Sequence, residues 1–508
     1  MGLWAFYFLG KAYLHYRGYI RFSFLLNVLL ALFLMVPLPR KLPAIRLFRG
    51  MRLVAALTAG FLILWSETWF PPLTRTVTLL SGTGGISTAY IARFLKDSVS
   101  LTQLGILALI FAACYFLNKR ITLTPIAMAA IISVPIFATG GGTSNMDSYL
   151  AQFYGSESKR AVTFDRPGEG GPDFDIVILQ ICSLSWDDLR MVGLDKDPFF
   201  RQFDVIFTDF DSVSSYTNPS GIRLLRANCG QERHKDLYLD GPKECYTLDA
   251  LRGVGYKTYA AIDNYAPSYK FVEDVMTYGH ADRPIEMMDL PLRQYDFDKS
   301  PIYDDLAILN RWWDMRQRSA AGRAALYMDI TTMHGGAHWA DDPRWWTKKP
   351  DVLYREFGVR LFSNIDTFLK TLEASGKNFV VVFVPEHGRA LRGSSIQSSD
   401  IREIPLPSIT TVPVGIKLIG NGISSLPERQ ITVSKPTSYT ALSNLLKSFL
   451  SAPRFGRDVM LTPEVIGKIP ETPYVAENEA NMVVKKGKDV FYYGKEKRWT
   501  TLPDSVLK

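Results

Sequence analysis

Acidic residues are nearly missing from the first 140 positions of this 508-residue chain, where Glu67 and Asp97 stand against thirteen Lys and Arg, a net +11. The whole chain carries +8, which leaves about −3 for the remainder. The basic balance therefore belongs to the N-terminal third, and a nucleic-acid partner is not expected. No cleavable leader is expected either, because Lys11 breaks the first apolar run and further apolar runs follow it. Internal repeats are absent. Cysteine and histidine are scarce, at four and six, so each can be weighed singly.

What fills the acid-poor third is hydrophobic sequence. Apolar runs of spanning length occur near 22–38, 53–70, 99–117 and 121–138, and Leu3 to Tyr16 forms a fifth, interrupted by Lys11. About five transmembrane helices are expected in residues 1–140. Arg40, Lys41, Arg46, Arg49 and Arg52 fall between the second and third, and Lys119 with Arg120 between the fourth and fifth. Basic loops stay in the cytoplasm, which puts the N-terminus inside and everything beyond about 140 outside. Arg17 and Arg21 then lie on the outer side, where long basic side chains snorkel to headgroups.

The cysteines agree with an outward-facing domain. Cys114 sits within a span as an inert thiol, while Cys229 and Cys245 are sixteen apart in a turn-rich polar stretch. In an oxidising compartment a disulfide closing that loop contributes roughly 3 kcal/mol; two free thiols are the alternative. Cys182 is left over. The segment Cys182-Ser183-Leu184-Ser185-Trp186 lacks the Pro and Arg that follow a sulfatase-type nucleophile.

Residues 141–172, opening on Gly140-Gly141-Gly142-Thr143-Ser144, read as a polar tether, and 173–508 as the folded domain. Apolar, β-rich segments at 174–181, 204–208, 256–262, 325–330, 379–384 and 412–419 alternate with helical patterns, notably 301–317 and 353–374. That alternation predicts a doubly wound α/β domain with helices on both faces. The tail from about 480, with Val483-Val484 and Val490 to Tyr493, reads as an edge hairpin.

The run Val380 to Val384 ends in Pro385-Glu386-His387-Gly388, and the run Phe174 to Ile181 ends in Cys182. Continuous apolar runs mark buried parallel strands, and in open α/β sheets chemistry sits beyond the carboxyl ends of the strands. If both strands share one sheet, a thiolate, a carboxylate and an imidazole converge in a set that suits zinc. Between them lies the polar turn Ser214 to Gly221, entering a helical stretch from Ile222 to Ala227. A hydroxyl at a helix N-terminus gains an anion-stabilising dipole and suits attack on a phosphate. Plain N-capping is the competing account, and Thr217, Ser215 and Ser220 remain rivals. Met333-His334-Gly335-Gly336-Ala337-His338 follows a strand-like segment, and its two imidazoles could protonate a leaving group or orient a phosphate. His15, His234 and His280 suggest no role. Trp312-Trp313 and Trp345-Trp346 invite sugar stacking, though core packing of large aromatics is the plainer reading.

Together, Ile181 to Trp186, Ser215-Tyr216-Thr217 leading to Ile222-Arg223-Leu224-Leu225-Arg226-Ala227-Asn228-Cys229-Gly230, and Pro385-Glu386-His387-Gly388 resemble the bacterial cellulose phosphoethanolamine transferase family, BcsG. Phe6 to Leu9, Met35 to Arg40, Pro301 to Asp305 and Pro405 to Thr410 extend the likeness over nearly the whole chain. The resemblance implies an inner-membrane anchor and a periplasmic alkaline-phosphatase/sulfatase-like domain binding Zn2+ through Cys182, Glu386 and His387. It implies Thr217 as nucleophile and further zinc ligand, His334 near the leaving group, a Cys229 to Cys245 disulfide, and Ser220 supporting the site rather than attacking. The family pattern has Ser where this chain has Thr217. Phosphatidylethanolamine is the implied donor, the 6-hydroxyls of cellulose the acceptor, and the cellulose synthase complex a partner. Two alternatives are transfer to lipid A or another periplasmic glycan, and a non-catalytic membrane partner of the synthase.

Overall fold

In a computed structural model of the chain, residues 2–17, 19–37, 45–68, 73, 77, 101–137, 145–168, 170–265, 270–394, 396–494, 497–503 and 506 are described. The glycine-rich start of the tether and Arg40 with Lys41 lie outside them.

All five apolar runs are helical: Trp4–Tyr16, Phe24–Met35, Ile45–Glu67, Leu101–Leu117 and Thr124–Phe137. Only Ile45–Glu67, at 23 residues, is long and apolar enough on its own to cross a membrane among the described residues; the others are shorter. Arg46, Arg49 and Arg52, expected in a loop, lie instead in the first turns of this helix. Leucine-rich surface is exposed along these helices (Leu25, Leu29, Leu57, Leu109).

The strands, in chain order, are β1 (Asp175–Ile181), β2 (Val205–Asp211), β3 (Tyr256–Ile262), β4 (Leu292–Tyr295), β5 (Pro301–Tyr303), β6 (Arg323–Ile330), β7 (His338–Trp339), β8 (Phe379–Pro385), β9 (Thr411–Ile419), β10 (Ile431–Val433), β11 (Val475–Glu477), β12 (Met482–Lys486), β13 (Asp489–Tyr493) and β14 (Trp499–Leu502). Seven of them form the central sheet in the order β10-β2-β9-β8-β1-β6-β3. Only β9 runs against the rest, since it pairs antiparallel with both β8 and β2 while the other pairs are parallel. The expected doubly wound α/β domain is present. Ile176, Ile178, Val380, Val382 and Val384 point into one core, and Val177, Leu179, Ile181, Val381 and Phe383 into another. A strand buried on both faces must be apolar at every position, which is why the two runs were continuous in the sequence.

Three expectations shift. The tail hairpin exists, but it is the middle of a separate four-stranded sheet, β11-β12-β13-β14, rather than an edge of the main one. Inside the expected tether, Met146–Glu157 is a helix whose Met146 and Phe153 pack with Val475, Val484 and Trp499 of that second sheet; apolar side chains four to seven apart outweigh the local polarity. The helix expected from 301 begins at Asp305, capped by the Asp304 carboxylate, which accepts from Ala307 N at 2.9 Å, while Pro301–Tyr303 is a strand.

Candidate metal and nucleophile site

Register alone brings the ligand set together. β1 and β8 are parallel neighbours with Ile181 opposite Pro385, so the next residues, Cys182 and Glu386, leave the sheet side by side. The ladder continues one step past the strands, with Glu386 N donating to Ile181 O (2.9 Å) and Cys182 N to Ile330 O (2.8 Å). One donor atom each from Cys182, Glu386 and His387 lies within 4.8 Å of the others, and all three residues are buried. Glu386 is at zero exposure, with Oε2 3.5 Å from His387 Nε2 and no close hydrogen bond made at either oxygen. An unpaired buried carboxylate is costly unless a cation compensates it. A thiol, a carboxylate and an imidazole in that condition fit a divalent metal ion.

The surroundings set the donors' protonation. The ring Nδ1 of His387 lies 2.9 Å from Gly388 O and 3.2 Å from Arg402 Nη1, and Nε2 turns to the site, 3.3 Å from Thr217 Oγ1. Burial, and the Arg402 guanidinium after it, hold His387 well below the usual imidazole range. Burial pushes the Cys182 thiol well up, with the Glu386 charge adding to it. Asp329, the penultimate residue of β6, is also held well above the carboxylate range by burial and by Glu386. A bound cation reverses this logic for its ligands.

The loop carrying Glu386 and His387 is clamped from below. Asp188 accepts hydrogen bonds from the backbone N–H groups of Arg389 (2.6 Å), Ala390 (3.3 Å) and Leu391 (2.8 Å), and from Ser185 Oγ (2.9 Å). Gly388 passes over this clamp so closely that a Cβ would lie 2.4 Å from Ser185 Oγ, which leaves no room for a side chain.

Thr217 opens the helix Thr217–Leu225, five residues earlier than the sequence pattern suggested. Its Oγ1 lies 3.5 Å from Cys182 Sγ and 3.3 Å from His387 Nε2. The rival hydroxyls are turned away: Ser215 Oγ donates to Arg402 O at 2.5 Å and Ser220 Oγ to Glu386 O at 3.1 Å. Asn478 cross-ties the turn, accepting from Ser214 Oγ (2.9 Å) and donating from Nδ2 to Ser215 Oγ (2.7 Å) and Glu403 O (3.0 Å). Thr217 and Cys182 line a cavity of about 560 Å³ together with Asp329, Asn264, Asp296 and His334. Asp296 Oδ1 holds His334 Nδ1 at 2.8 Å, which fixes the orientation of the ring in the cavity wall.

The other candidates separate from the site. His338 stacks on Trp345 with centroids 4.3 Å apart, and Trp312 and Trp313 are buried in the core, as the packing reading held. Cys229 and Cys245 are disulfide-bonded, and Cys114 and Cys182 are free. Sequence reasoning missed Asp296, Asp329, Arg402 and Asn478. Asp329 had a signal, a carboxylate at the end of an apolar run like that of Glu386; the other three come from loops with none.

A buried thiol, carboxylate and imidazole at the carboxyl edge of a doubly wound sheet, with a helix-borne hydroxyl beside them, define a site of the class that can hold a divalent metal ion. Residues 4–136 match the family described as cellulose biosynthesis protein BcsG, N-terminal domain, and residues 138–499 its C-terminal domain, so the chain belongs to the BcsG family. It is 32% identical over 534 residues to cellulose biosynthesis protein BcsG of Escherichia coli K12, and 33% identical over 532 residues to that of Salmonella typhimurium LT2; each alignment covers 95% of this chain and 92% of the relative. Among solved structures it is similar to an alkaline phosphatase superfamily protein from Vibrio parahaemolyticus (TM-score 0.45, 14% identity, 70% of this chain and 91% of that one). It is also similar to the C-terminal periplasmic domain of EcEptC from Escherichia coli (TM-score 0.44, 12% identity, 68% and 99%).

Proposed function

We propose that this chain is a zinc-dependent phosphoethanolamine transferase of cellulose biosynthesis, anchored in the inner membrane by several N-terminal spans within residues 1–140, with its catalytic domain from about 173 in the periplasm. The donor is phosphatidylethanolamine and the acceptor a glucosyl 6-hydroxyl of cellulose leaving its synthase. Cys182, Glu386 and His387 hold the ion, with Thr217 close enough to join them. The observation that carries the reading is the Thr217 hydroxyl, 3.3 Å from His387 Nε2 in the wall of a cavity, beside the buried cluster of Cys182, Glu386 and His387, whose donor atoms lie within 4.8 Å of one another.

Zn2+ at these ligands supplies Lewis acidity, favouring the ionised hydroxyl near neutral pH. The chain's own residues do the rest. Thr217 Oγ1, once deprotonated, attacks phosphorus, and the bond to the diacylglycerol oxygen breaks. His334, oriented by Asp296, gives that oxygen its proton. The phosphoethanolamine then rests on Thr217 until a glucosyl 6-hydroxyl attacks it, with His334 taking the proton and Thr217 released. A membrane anchor suits a lipid donor, because tethering raises the effective concentration of the enzyme at the headgroup plane.

The test is to express the chain and Thr217→Ala in a cellulose-producing host and examine the polymer by solid-state NMR. Phosphoethanolamine on the polymer is expected with the parent and absent with the variant. Modification by the variant removes Thr217 as nucleophile, and unmodified cellulose from an active parent points to lipid A or another glycan.

A further inference from the structure

A second cavity, about 800 Å³ and larger than the catalytic one, is walled by three segments remote in sequence: the helix Met146–Glu157, the loop around 233–238, and the C-terminal sheet. Its lining shares no residue with the catalytic cavity. The walls are pinned to one another. Trp499 Nε1 donates to Asp147 Oδ1 (2.9 Å), and Glu477 Oε2 accepts both Tyr154 OH (2.9 Å) and His234 N (2.8 Å). The space is therefore preformed, as ligand sites generally are.

Its chemistry is specific. Four aromatic rings, Tyr154, Tyr238, Tyr493 and Trp499, line it, and burial and the Glu477 carboxylate hold the Tyr154 hydroxyl above its ordinary range. Asp147, Glu477 and Glu479 face Arg233 and Lys235, and His234 is pushed down to about 4 by burial and so is neutral. The charges nearly cancel, which favours neither a strong anion nor a strong cation. Aromatic side chains, with Arg233 lying over the Tyr154 ring and Tyr493 packed on Trp499, interleaved with donors and acceptors of both kinds, match a ligand that is apolar on its ring faces and hydroxyl-bearing at its edges. That ligand is a neutral glycan.

We infer that this cavity is a second carbohydrate-binding site, which holds a stretch of neutral β-linked glucan away from the reactive cavity. The inference deepens the proposed reading, in which the acceptor is a polymer, and rests on it for the identity of the sugar. Placement adds a reason. The helix that walls the cavity starts nine residues after the last apolar helix closes at Phe137, so at about 3.5 Å per residue the cavity lies within reach of the membrane face where a polymer emerges. The wall is also continuous with the site: Glu477 N donates to Val213 O at 2.7 Å, four residues before Thr217, and Asn478 next to it ties the nucleophile turn.

The test uses the full chain in detergent with its metal bound, cellohexaose as the probe, and calorimetry as the readout. Tyr238→Ala and Lys235→Ala are chosen because both side chains line the cavity and lie outside the catalytic machinery. Saturable binding of cellohexaose by the parent is expected, weakened at least tenfold by Tyr238→Ala, while donor-lipid hydrolysis stays at the parental rate. Equal binding by the parent and both variants, or none by the parent, overturns the site. Protection of Tyr238 by phosphatidylethanolamine vesicles and not by cellohexaose overturns it in favour of a lipid headgroup. Should cellohexaose bind here while cellulose is never modified, the glycan site stands and the acceptor assignment falls.

Discussion

At the scale of single residues, Asp211 shows how the turn leading to Thr217 carries a stability cost. It ends β2 at 5% exposure, six residues before Thr217, and its Oδ1 accepts from Val213 N at 2.8 Å, with the Thr410 hydroxyl also facing the carboxylate. Burial pushes its carboxyl up to about 7. Because the folded value exceeds the unfolded one, the contribution to stability is complete below about pH 4 and is lost as pH rises through about 7. Asp211→Asn imitates the protonated form and should remove that loss. Its melting temperature should exceed the parent's above pH 7, by an amount equivalent to at most about 4 kcal/mol, and converge with it near pH 4. Thermal melts across that range check this, and a gap independent of pH would contradict it. Asp188 carries the same burial without the same exposure to pH, since it is pushed up only to about 6; three backbone N–H groups and a hydroxyl favour its ionised form.

At the scale of elements, one buried ion pair locks the helix Asp305–Arg318 to the start of β1. Arg316 Nε and Nη2 reach the two oxygens of Asp175 at 2.6 and 3.0 Å, and Asp175 Oδ1 also accepts from Ala324 N of β6 at 2.7 Å. A planar fork makes both contacts at once, which a lysine cannot do. Arg316→Lys is expected to cost about 2 kcal/mol, and Arg316→Met, which strands a buried carboxylate, about 3–5 kcal/mol, measured by denaturant unfolding. Equal stability of parent and Arg316→Met would show that the pair contributes nothing. Neither the partner nor the geometry was readable in the sequence, because Asp175 and Arg316 are 141 positions apart. The strands were readable for the opposite reason: burial on both faces forces continuous apolar runs, and a lone Cys or Glu closing such a run stands out. The helix at Thr217 was placed late because Asn218, Pro219, Ser220 and Gly221 are turn formers by local preference, and only burial of Pro219 to Leu225 against the domain makes them helical. The tether failed likewise: Met146 and Phe153 gain their partners from a sheet more than 300 residues on.

Across the whole molecule, the proposed metal is the point where the separate parts of the sheet edge depend on one another. Cys182 follows β1 and Glu386 with His387 follows β8, while Thr217 arrives from β2. An ion shared by them adds a bond between strands that are otherwise held by backbone hydrogen bonds and packing alone. A site filled at a hundredfold excess over its dissociation constant stabilises the fold by about 2.7 kcal/mol, so chelation should lower the melting temperature of the full chain and re-addition of zinc should restore it. Protons must leave as the ion enters. Burial holds the Cys182 thiol well above its ordinary range and raises Glu386 as well, so the metal-free site is protonated where the filled one is not. Zinc affinity should therefore fall as pH falls, and calorimetric titration in two buffers of different ionisation enthalpy should register at least one proton released per ion bound. Heats identical in both buffers, together with a melting temperature indifferent to chelator, would mean that Cys182, Glu386 and His387 do not share an ion.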